Sequence, residues 1–260
     1  MIEEKTGWFI SMKELRRIPI NGMLNLRDLG GYATKTGKVT LYNRFYRSEL
    51  PEQYNEEMRA FFTENNLNLV VDLRNPDEIE KKACALKDAG PWAYQNISIL
   101  DSVDNELLSD LVPKEFSRYP LGYIYCLGLE KAHPNLKLLA EALAEPDDGA
   151  VLFHCAYGKD RTGTLTATLL MLAGVADDDI VANYSVSADY IWPIVRPIID
   201  KLPERFKPYH LSDAENMRMY LKAFHERFAC VEDYHASLGI APEITNKLKA
   251  RLLDKSFGQG

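Results

Sequence analysis

The chain has 260 residues, of which 46% are hydrophobic and 27% are charged. This length and this composition predict a globular protein with a substantial core, and they exclude a disordered or fibrous chain. The formal net charge of −7 argues against a nucleic-acid partner, because a phosphate backbone requires a concentrated basic surface. An acidic chain can still form a local basic pocket.

The N-terminal segment carries Glu3 and Glu4 where a signal peptide would carry Lys or Arg, and no apolar segment follows. The longest apolar run, near residues 165–175, is too short and too polar to span a bilayer. We therefore expect a cytoplasmic protein without stable membrane insertion. Leaderless secretion would be compatible with the same features, and the oligomeric state is left open.

Short apolar runs alternate with helical stretches along much of the chain, which is typical of an α/β fold. The run at residues 69–73 is continuously apolar, as expected of a buried parallel strand. Gly174 predicts the end of a helix. The pattern predicts strands at residues 45–48, 69–73, 94–100 and 150–153, and helices at residues 56–65, 76–85 and 162–173.

Two stretches, near residues 102–144 and 177–228, are helical in character and interrupt the alternation. The second is rich in aromatic side chains, which most often fill a helical core. We interpret both as helical insertions in a single domain covering residues 1–260. Part of them could form a lid over the site.

The segment of residues 150–163 reads A-V-L-F-H-C-A-Y-G-K-D-R-T-G and carries the chemistry. It predicts a strand, a tight loop that begins at Cys155, and a helix. A loop that leads into a helix N-terminus points successive backbone N–H groups inward and forms a nest for an anion. The same donors stabilise a thiolate, which is the nucleophilic form of cysteine. Cys155 is therefore the candidate nucleophile.

Arg161 stands six positions after Cys155 and closes the ring. Its planar guanidinium can hold two phosphate oxygens at once, which a lysine cannot do. Gly158 permits the backbone angles that a loop around an anion requires. We expect the loop to contact the substrate through five residues: Ala156, Tyr157, Gly158, Lys159 and Thr162.

Three further residues lie close to Cys155 and Arg161 in the sequence. Thr162 could donate a hydrogen bond to the thiolate. Lys159 is either a second fixed charge at the tip of the loop or an ordinary solvated lysine. His154 is expected to orient the loop rather than to carry protons.

The other cysteines, Cys84, Cys126 and Cys230, are scattered along the chain. They form no C-x-x-C pair and have no spacing typical of metal ligands. We read them as buried small side chains and predict no disulfide, no metal and no cofactor.

H-C-A-Y-G-K-D-R-T-G resembles the signature loop of the protein tyrosine phosphatase superfamily, and its K-D-R-T-G ending is similar to a bacterial branch of tyrosine and lipid-type phosphatases. Further similarities are N-L-R-D-L-G-G at residues 25–31, R-S at 47–48, V-D-L-R at 71–74 and the C-terminal residues 231–253. The resemblance implies a four- to five-stranded, mostly parallel sheet flanked by helices, no metal, and a phosphocysteine intermediate.

A general acid must protonate the leaving oxygen, and three aspartates are candidates. Asp160 lies in the loop beside Arg161, and the resemblance includes enzymes in which this aspartate has the role. Asp101 follows the predicted strand 94–100, the position in the chain where many relatives carry their acid. Asp72 is more simply a strand-end carboxylate paired with an arginine. We prefer Asp160, because repulsion from a bound dianion favours a protonated carboxyl group.

The substrate class is not determined by these residues. The first reading is a phosphatase for phosphotyrosine in proteins, with activity on phosphoserine and phosphothreonine as a wider specificity. The second is a phosphoinositide phosphatase, because Lys159 could bind a further phosphate and similar lipid phosphatases carry lysine there. The third, a binding module that has lost catalysis, is disfavoured because every reactive residue is present.

Overall fold

The computed structural model describes residues 16–99, 112–146 and 148–254. Within them, five strands form one sheet in the order β1-β2-β5-β3-β4, with β1 antiparallel to β2 and all other pairs parallel. The strands are β1 (Arg27–Asp28), β2 (Phe45–Ser48), β3 (Leu67–Asp72), β4 (Ala93–Asn96) and β5 (Ala150–His154). The predicted α/β fold with a mostly parallel sheet of four to five strands is confirmed.

Helices flank this sheet, and most of the chain after strand β5 is helical. They are α1 (Glu56–Glu64), α2 (Pro76–Lys81), α3 (Pro120–Glu130), α4 (Asn135–Ala144), α5 (Asp160–Ala173), α6 (Asp177–Ser185), α7 (Ser187–Ile199), α8 (Ala214–Arg227), α9 (Val231–Ser237) and α10 (Pro242–Leu253). Two 3₁₀ segments, Lys114–Phe116 and Glu204–His210, join some of them.

The central strand β5 is buried on both faces, and its side chains alternate between two cores. Val151 and Phe153 pack on one side of the sheet in the same core as Leu170 of α5. Leu152 packs on the other side in the same core as Phe62 of α1. A strand with helices on both faces needs apolar residues at every position, which explains its unbroken apolar run.

The carboxyl end of β5 positions the site. The strand ends at His154 and α5 begins at Asp160, so the predicted loop lies at the edge where parallel sheets usually bind ligands. Helix α5 starts two residues before the predicted position and ends, as predicted, at Gly174, which has a left-handed backbone with φ of 80°.

Two predicted elements are shorter in the structure. The helix predicted at residues 76–85 ends at Lys81. The backbone of Lys82 is extended, and its carbonyl accepts a hydrogen bond from the Arg74 guanidinium at 2.7 Å. The strand predicted at residues 94–100 is Ala93–Asn96, because its partner β3 ends at Asp72 opposite Asn96. Residue 100 itself lies outside the described residues.

Both predicted insertions contain helices where the structure describes them. The region 112–144 holds α3 and α4, and the region 177–228 holds α6, α7, the Glu204–His210 segment and α8. Strand β1 was not predicted, because two residues are too few to show a periodicity. In the described parts of the chain, no helix combines the length and the apolar character needed to cross a bilayer.

Candidate active site

The loop that follows β5 begins at Cys155 and requires glycine at its centre. Gly158 has a φ of 62°, a conformation that other residues rarely adopt. A Cβ atom at this position would lie 2.3 Å from the carbonyl of Ser48 and 2.4 Å from the backbone nitrogen of Glu49. Backbone angle and close packing against the end of β2 therefore both exclude a side chain.

Three successive carbonyl groups of the loop are held from outside by residues of the N-terminal part of the chain. The backbone N–H of Leu50 donates to the first at 3.2 Å, Asn25 Nδ2 donates to the second and third at 3.1 Å, and Arg47 Nη2 donates to the third at 2.7 Å. In a planar trans peptide the N–H group points away from the carbonyl, so this arrangement favours amides that face the inside of the loop. The three carbonyls belong to Ala156, Tyr157 and Gly158.

A second layer of hydrogen bonds fixes Arg47. Its Nη1 donates to Asn183 Oδ1 at 2.5 Å, and Arg27 donates to the carbonyl of Asn183 and, at 2.7 Å, to Ser187 Oγ. Burial lowers the pKa of Arg27 to about 10, which leaves it charged at neutral pH. The resembling motifs around residues 25–31 and 47–48 thus support the loop from behind, a role that we did not assign from the sequence.

Cys155 is buried, with an exposed fraction of 2%. Three cationic side chains interact electrostatically with its sulfur: Arg47, Lys159 and Arg161. Positive surroundings of this kind are typical of nucleophilic cysteines.

Arg161 forms a bidentate ion pair with Glu78 of α2, at 2.5 Å and 2.8 Å. Burial alone would lower the pKa of Arg161, but its hydrogen bonds to Glu78 and its electrostatic interaction with Cys155 raise it, so the guanidinium stays charged. Glu78 also accepts the backbone N–H of Asn75 at 2.9 Å. It therefore caps α2 and orients the arginine, and the N-x-x-E spacing at residues 75–78 is the sequence signal that could have identified it.

Asp160 lies beside this pair at the start of α5. Its Oδ1 accepts a hydrogen bond from the Tyr125 hydroxyl, which lies 2.9 Å from the hydroxyl of Tyr184. Burial and the charge of Asp160 raise the pKa of Tyr125 well above its usual value, so this tyrosine remains a donor. The side chain of Asp160 is 30% exposed, which leaves it accessible to a bound molecule.

A cavity of about 740 Å³ adjoins the loop, a volume within the usual range for small-molecule sites. The loop residues Ala156 and Tyr157 line it together with Asp160, Arg161 and Glu78. Most of its remaining lining is apolar. The nucleophile loop, the arginine and the aspartate thus border one common space.

Comparison with known protein families shows the family to which the chain belongs. The model of a family described as "Tyrosine phosphatase family" matches residues 18–254. The chain belongs to this family. The match covers the whole loop and every contact described above, and it confirms the resemblance found in the sequence.

Three curated relatives of this tyrosine phosphatase family member have related names. It is 31% identical over 199 residues to "Tyrosine-protein phosphatase" of Nostoc commune, covering 72% of this chain and 66% of that one. It is 30% identical over 165 residues (62% and 59%) to "Putative tyrosine-protein phosphatase H16_A0669" of Cupriavidus necator, and 29% identical over 120 residues (40% and 44%) to "Triple specificity protein phosphatase PtpB" of Mycobacterium tuberculosis. The chain thus spans less than two thirds of the length of these relatives. The crystal structure of TpbA from P. aeruginosa aligns with 81% of this chain and with 97% of the TpbA chain. The two sequences are 16% identical in this alignment, and the TM-score is 0.38.

Lys159 of this family member is buried, with an exposed fraction of 1%. Its ammonium donates to the carbonyls of Tyr209 and Leu211, at 3.0 Å and 3.2 Å, and lies 3.5 Å from Asp160. Burial lowers its pKa, against the charge of Asp160. The geometry gives no support to the expected contact with a second phosphate, because the ammonium is directed at the segment around residues 204–211. That segment therefore packs beside the loop.

We expect Lys159→Ala to reduce kcat/KM by the same factor for p-nitrophenyl phosphate and for a short-chain phosphoinositide. The substitution leaves two carbonyls without their donor and should cost about 1–3 kcal/mol of stability. Phosphate release and thermal unfolding measure the two effects, and the exposed Lys201→Ala is the matched control. A loss confined to the phosphoinositide would show that Lys159 does contact a second phosphate.

Asp72 is fully buried and is held by other side chains. Arg74 donates to it from Nε at 2.9 Å and from Nη2 at 2.6 Å, and the Tyr94 hydroxyl donates at 2.8 Å. Burial would raise the pKa of Asp72, but the hydrogen bonds from Arg74 and the proximity of His154 lower it. A carboxylate kept ionised in this way does not suit the role of an acid. Asp101, the other alternative, lies outside the described residues.

His154 and Thr162 border the loop on its buried side. Burial lowers the pKa of His154 to about 4, so the ring is neutral at pH 7. Its Nδ1 lies 3.4 Å from the carbonyl oxygen of Cys155, which fits the predicted orienting role. The Thr162 hydroxyl is buried and has no hydrogen-bond partner among the described residues. It therefore has a donor left for the sulfur or for a bound oxyanion.

Proposed function

We propose that this protein is a phosphatase that hydrolyses phosphate monoesters through a phosphocysteine intermediate. The observation that carries the proposal is the loop of residues 155–161, whose carbonyls are turned outward and whose Arg161 is oriented by Glu78. This arrangement offers a dianion a ring of amides, a charged guanidinium and a sulfur nucleophile at one point.

In the proposed reaction the Cys155 sulfur attacks phosphorus, the S–P bond forms and the bond from phosphorus to the leaving oxygen breaks. Asp160 gives its proton to that oxygen. Water then attacks the thiophosphate, the S–P bond breaks, inorganic phosphate leaves and the Asp160 carboxylate takes the proton of the water. The loop amides and Arg161 stabilise the equatorial oxygens in both transition states.

Arg161 can bind phosphate without giving up Glu78. A guanidinium has five N–H donors, and Glu78 occupies one on each terminal nitrogen. The remaining donors suffice for a bidentate contact with two phosphate oxygens. Glu78 would thus hold the arginine ready in the free enzyme, which reduces the reorganisation needed when substrate binds.

Phosphotyrosine in proteins is the substrate that we propose first. The names of the curated relatives describe tyrosine-protein phosphatases, and one relative is named for triple specificity. Phosphoserine, phosphothreonine and phosphoinositides remain as wider or alternative specificities. Lys159 was the reason to favour phosphoinositides; because its ammonium donates to two backbone carbonyls, we place this specificity second.

The direct test is release of inorganic phosphate from a phosphotyrosyl peptide, p-nitrophenyl phosphate and a short-chain phosphoinositide by the purified protein. Turnover of the first two supports the proposal. Binding of the peptide without phosphate release would identify a binding module instead. Turnover of the phosphoinositide alone would make the lipid reading correct.

We expect Asp160→Asn to reduce turnover of an alkyl phosphate by about 10² or more, the usual contribution of a general acid. Turnover of p-nitrophenyl phosphate should fall less than tenfold, because p-nitrophenolate leaves without a proton. Steady-state kinetics on the two esters measures this difference, and Asp178→Asn, an exposed residue of α6, is the matched control.

Asp101→Asn provides the opposing case in the same assay. If Asp101→Asn shows the selective loss and Asp160→Asn does not, the acid belongs to the segment after strand β4. Asp160 would then be a neighbour of Arg161 without a role in proton transfer.

A further inference from the structure

The cavity beside the loop continues along one face of α5, away from the phosphate clamp. Besides Asp160, five residues of this helix line it, at spacings of three or four that place them on the same side. They are Arg161, Thr164, Leu165, Thr168 and Leu169. Eight residues of helix separate the first from the last, a distance of about 12 Å. The cavity is therefore much longer than a phosphate group.

The far part of the cavity lies inside the protein and is apolar. Leu139 and Leu143 of α4, Leu169 of α5 and Leu248 of α10 all line it, and each is 1–2% exposed. An unfilled apolar cavity destabilises a fold in proportion to its volume. A space of this kind between packed helices favours an apolar guest over water, which needs polar partners.

Four charged side chains and three histidines also lie on the lining. Glu78, Asp160 and Arg161 lie together at the loop. His235 also lines the cavity, but its Nδ1 is 2.9 Å from Thr245 Oγ1, and burial lowers its pKa to about 4. It is neutral at pH 7. Lys131, in the connection between α3 and α4, is exposed to solvent. His133, in the same connection, accepts the backbone N–H of Asn135 at 3.2 Å, and His210 belongs to the Glu204–His210 segment beside the loop.

We propose that the cavity binds the hydrocarbon chain of a phosphate monoester whose phosphate lies on the Cys155 loop. This inference rests on the proposed function and adds a second substrate class to phosphotyrosine: a long-chain alkyl or prenyl phosphate. The phosphoryl group passes to Cys155, Asp160 protonates the departing alkoxide, and a long-chain alcohol is the first product. Water then releases phosphate from the sulfur.

A phosphotyrosyl peptide can place its phosphate on the loop, but it does not fill the apolar far part of the cavity. A phosphopeptide has a polar backbone on both sides of its phosphoresidue, and each buried N–H and C=O would need a partner that a leucine-lined space does not provide. A phosphoinositide presents its headgroup first, so its acyl chains stay outside the phosphate site. A single chain attached directly to the phosphate needs no hydrogen bonds along its length.

The test is a series of n-alkyl phosphates, from ethyl to decyl, assayed below the concentrations at which they aggregate. We expect kcat/KM to rise about threefold to fourfold with each added methylene until the cavity is filled, and then to level off. The inhibition constants of the matching n-alkylphosphonates, which cannot be hydrolysed, should fall by the same factor. If neither kcat/KM nor the inhibition constant changes with chain length while p-nitrophenyl phosphate is still hydrolysed, the cavity assignment alone is overturned. Loss of all turnover would overturn the proposed function as well.

A substitution on α4 tests the location of the chain. Ala140 lines the cavity, so Ala140→Phe should reduce its length and lower the ratio of decyl to ethyl phosphate kcat/KM at least tenfold. Leu138→Phe, on the same helix but half exposed and outside this lining, should leave the ratio unchanged. If Ala140→Phe does not fold, Leu136→Trp on the same lining replaces it. An unchanged ratio in the folded cavity variant would contradict the proposal.

Discussion

Replacing Cys155 with serine should abolish turnover of p-nitrophenyl phosphate and of a phosphotyrosyl peptide, a loss on the order of 10⁵-fold for removal of a nucleophile. A serine hydroxyl needs a base to become a nucleophile. His154 cannot supply one readily, because its Nδ1 lies against the carbonyl of the same cysteine and its Nε2 lies 3.7 Å from Asp72. Phosphate release measures the loss.

The same variant should still bind oxyanions, because the loop amides and Arg161 are unchanged. Vanadate or phosphotyrosine binding, measured by calorimetry, should remain near the wild-type affinity. Cys230→Ser is the matched control and should keep full activity. The interpretation of Cys230 as a buried side chain was wrong, because it is exposed in the structure. Activity of Cys155→Ser within tenfold of the wild type would show that another residue is the nucleophile.

The second large effect is expected for Arg161→Lys, which should lower kcat/KM for p-nitrophenyl phosphate by about 10² or more. A lysine ammonium is a point charge and cannot make the bidentate contact with a transferring phosphoryl group. It also cannot reproduce the two parallel hydrogen bonds to Glu78, at 2.5 Å and 2.8 Å, that orient the present guanidinium. The variant should therefore lose both the fixed position of the cation and its stabilisation of the charge on the phosphoryl group.

Steady-state kinetics at saturating and limiting substrate separates the two contributions. Arg59→Lys, at a surface arginine paired with Glu56, is the matched control and should have no effect on either parameter. Wild-type behaviour of Arg161→Lys would mean that Arg161 is a structural partner of Glu78 and not the phosphate clamp.

The parts that could be predicted from the sequence are those encoded in consecutive residues. The apolar run before Cys155 predicted the central strand, the spacing from Cys155 to Arg161 predicted the loop, and Gly174 predicted the end of α5. Each depends on backbone preferences and burial within about ten residues. These features were sufficient to infer the fold class.

The parts that could not be predicted depend on contacts between distant residues. A lysine in an anion loop suggests a contact with substrate, and only the tertiary structure shows its ammonium on the carbonyls of Tyr209 and Leu211, about fifty residues further along. The N-x-x-E spacing at residues 75–78 is typical of a helix cap, but the contact of Glu78 with Arg161 joins positions 83 residues apart. The cavity is formed by helices that meet only when the chain is folded.

The hydrogen bonds from Asn25 to the carbonyls of Tyr157 and Gly158 join residues 132 and 133 positions apart in the chain. Contacts of such high sequence separation form late, because the entropy of closing a long loop is lost before they contribute. During synthesis, moreover, the N-terminal segment emerges well before the loop that it supports. We therefore expect the anion nest to assemble only after the rest of the sheet has come together, so that partly folded chains lack a complete phosphate site.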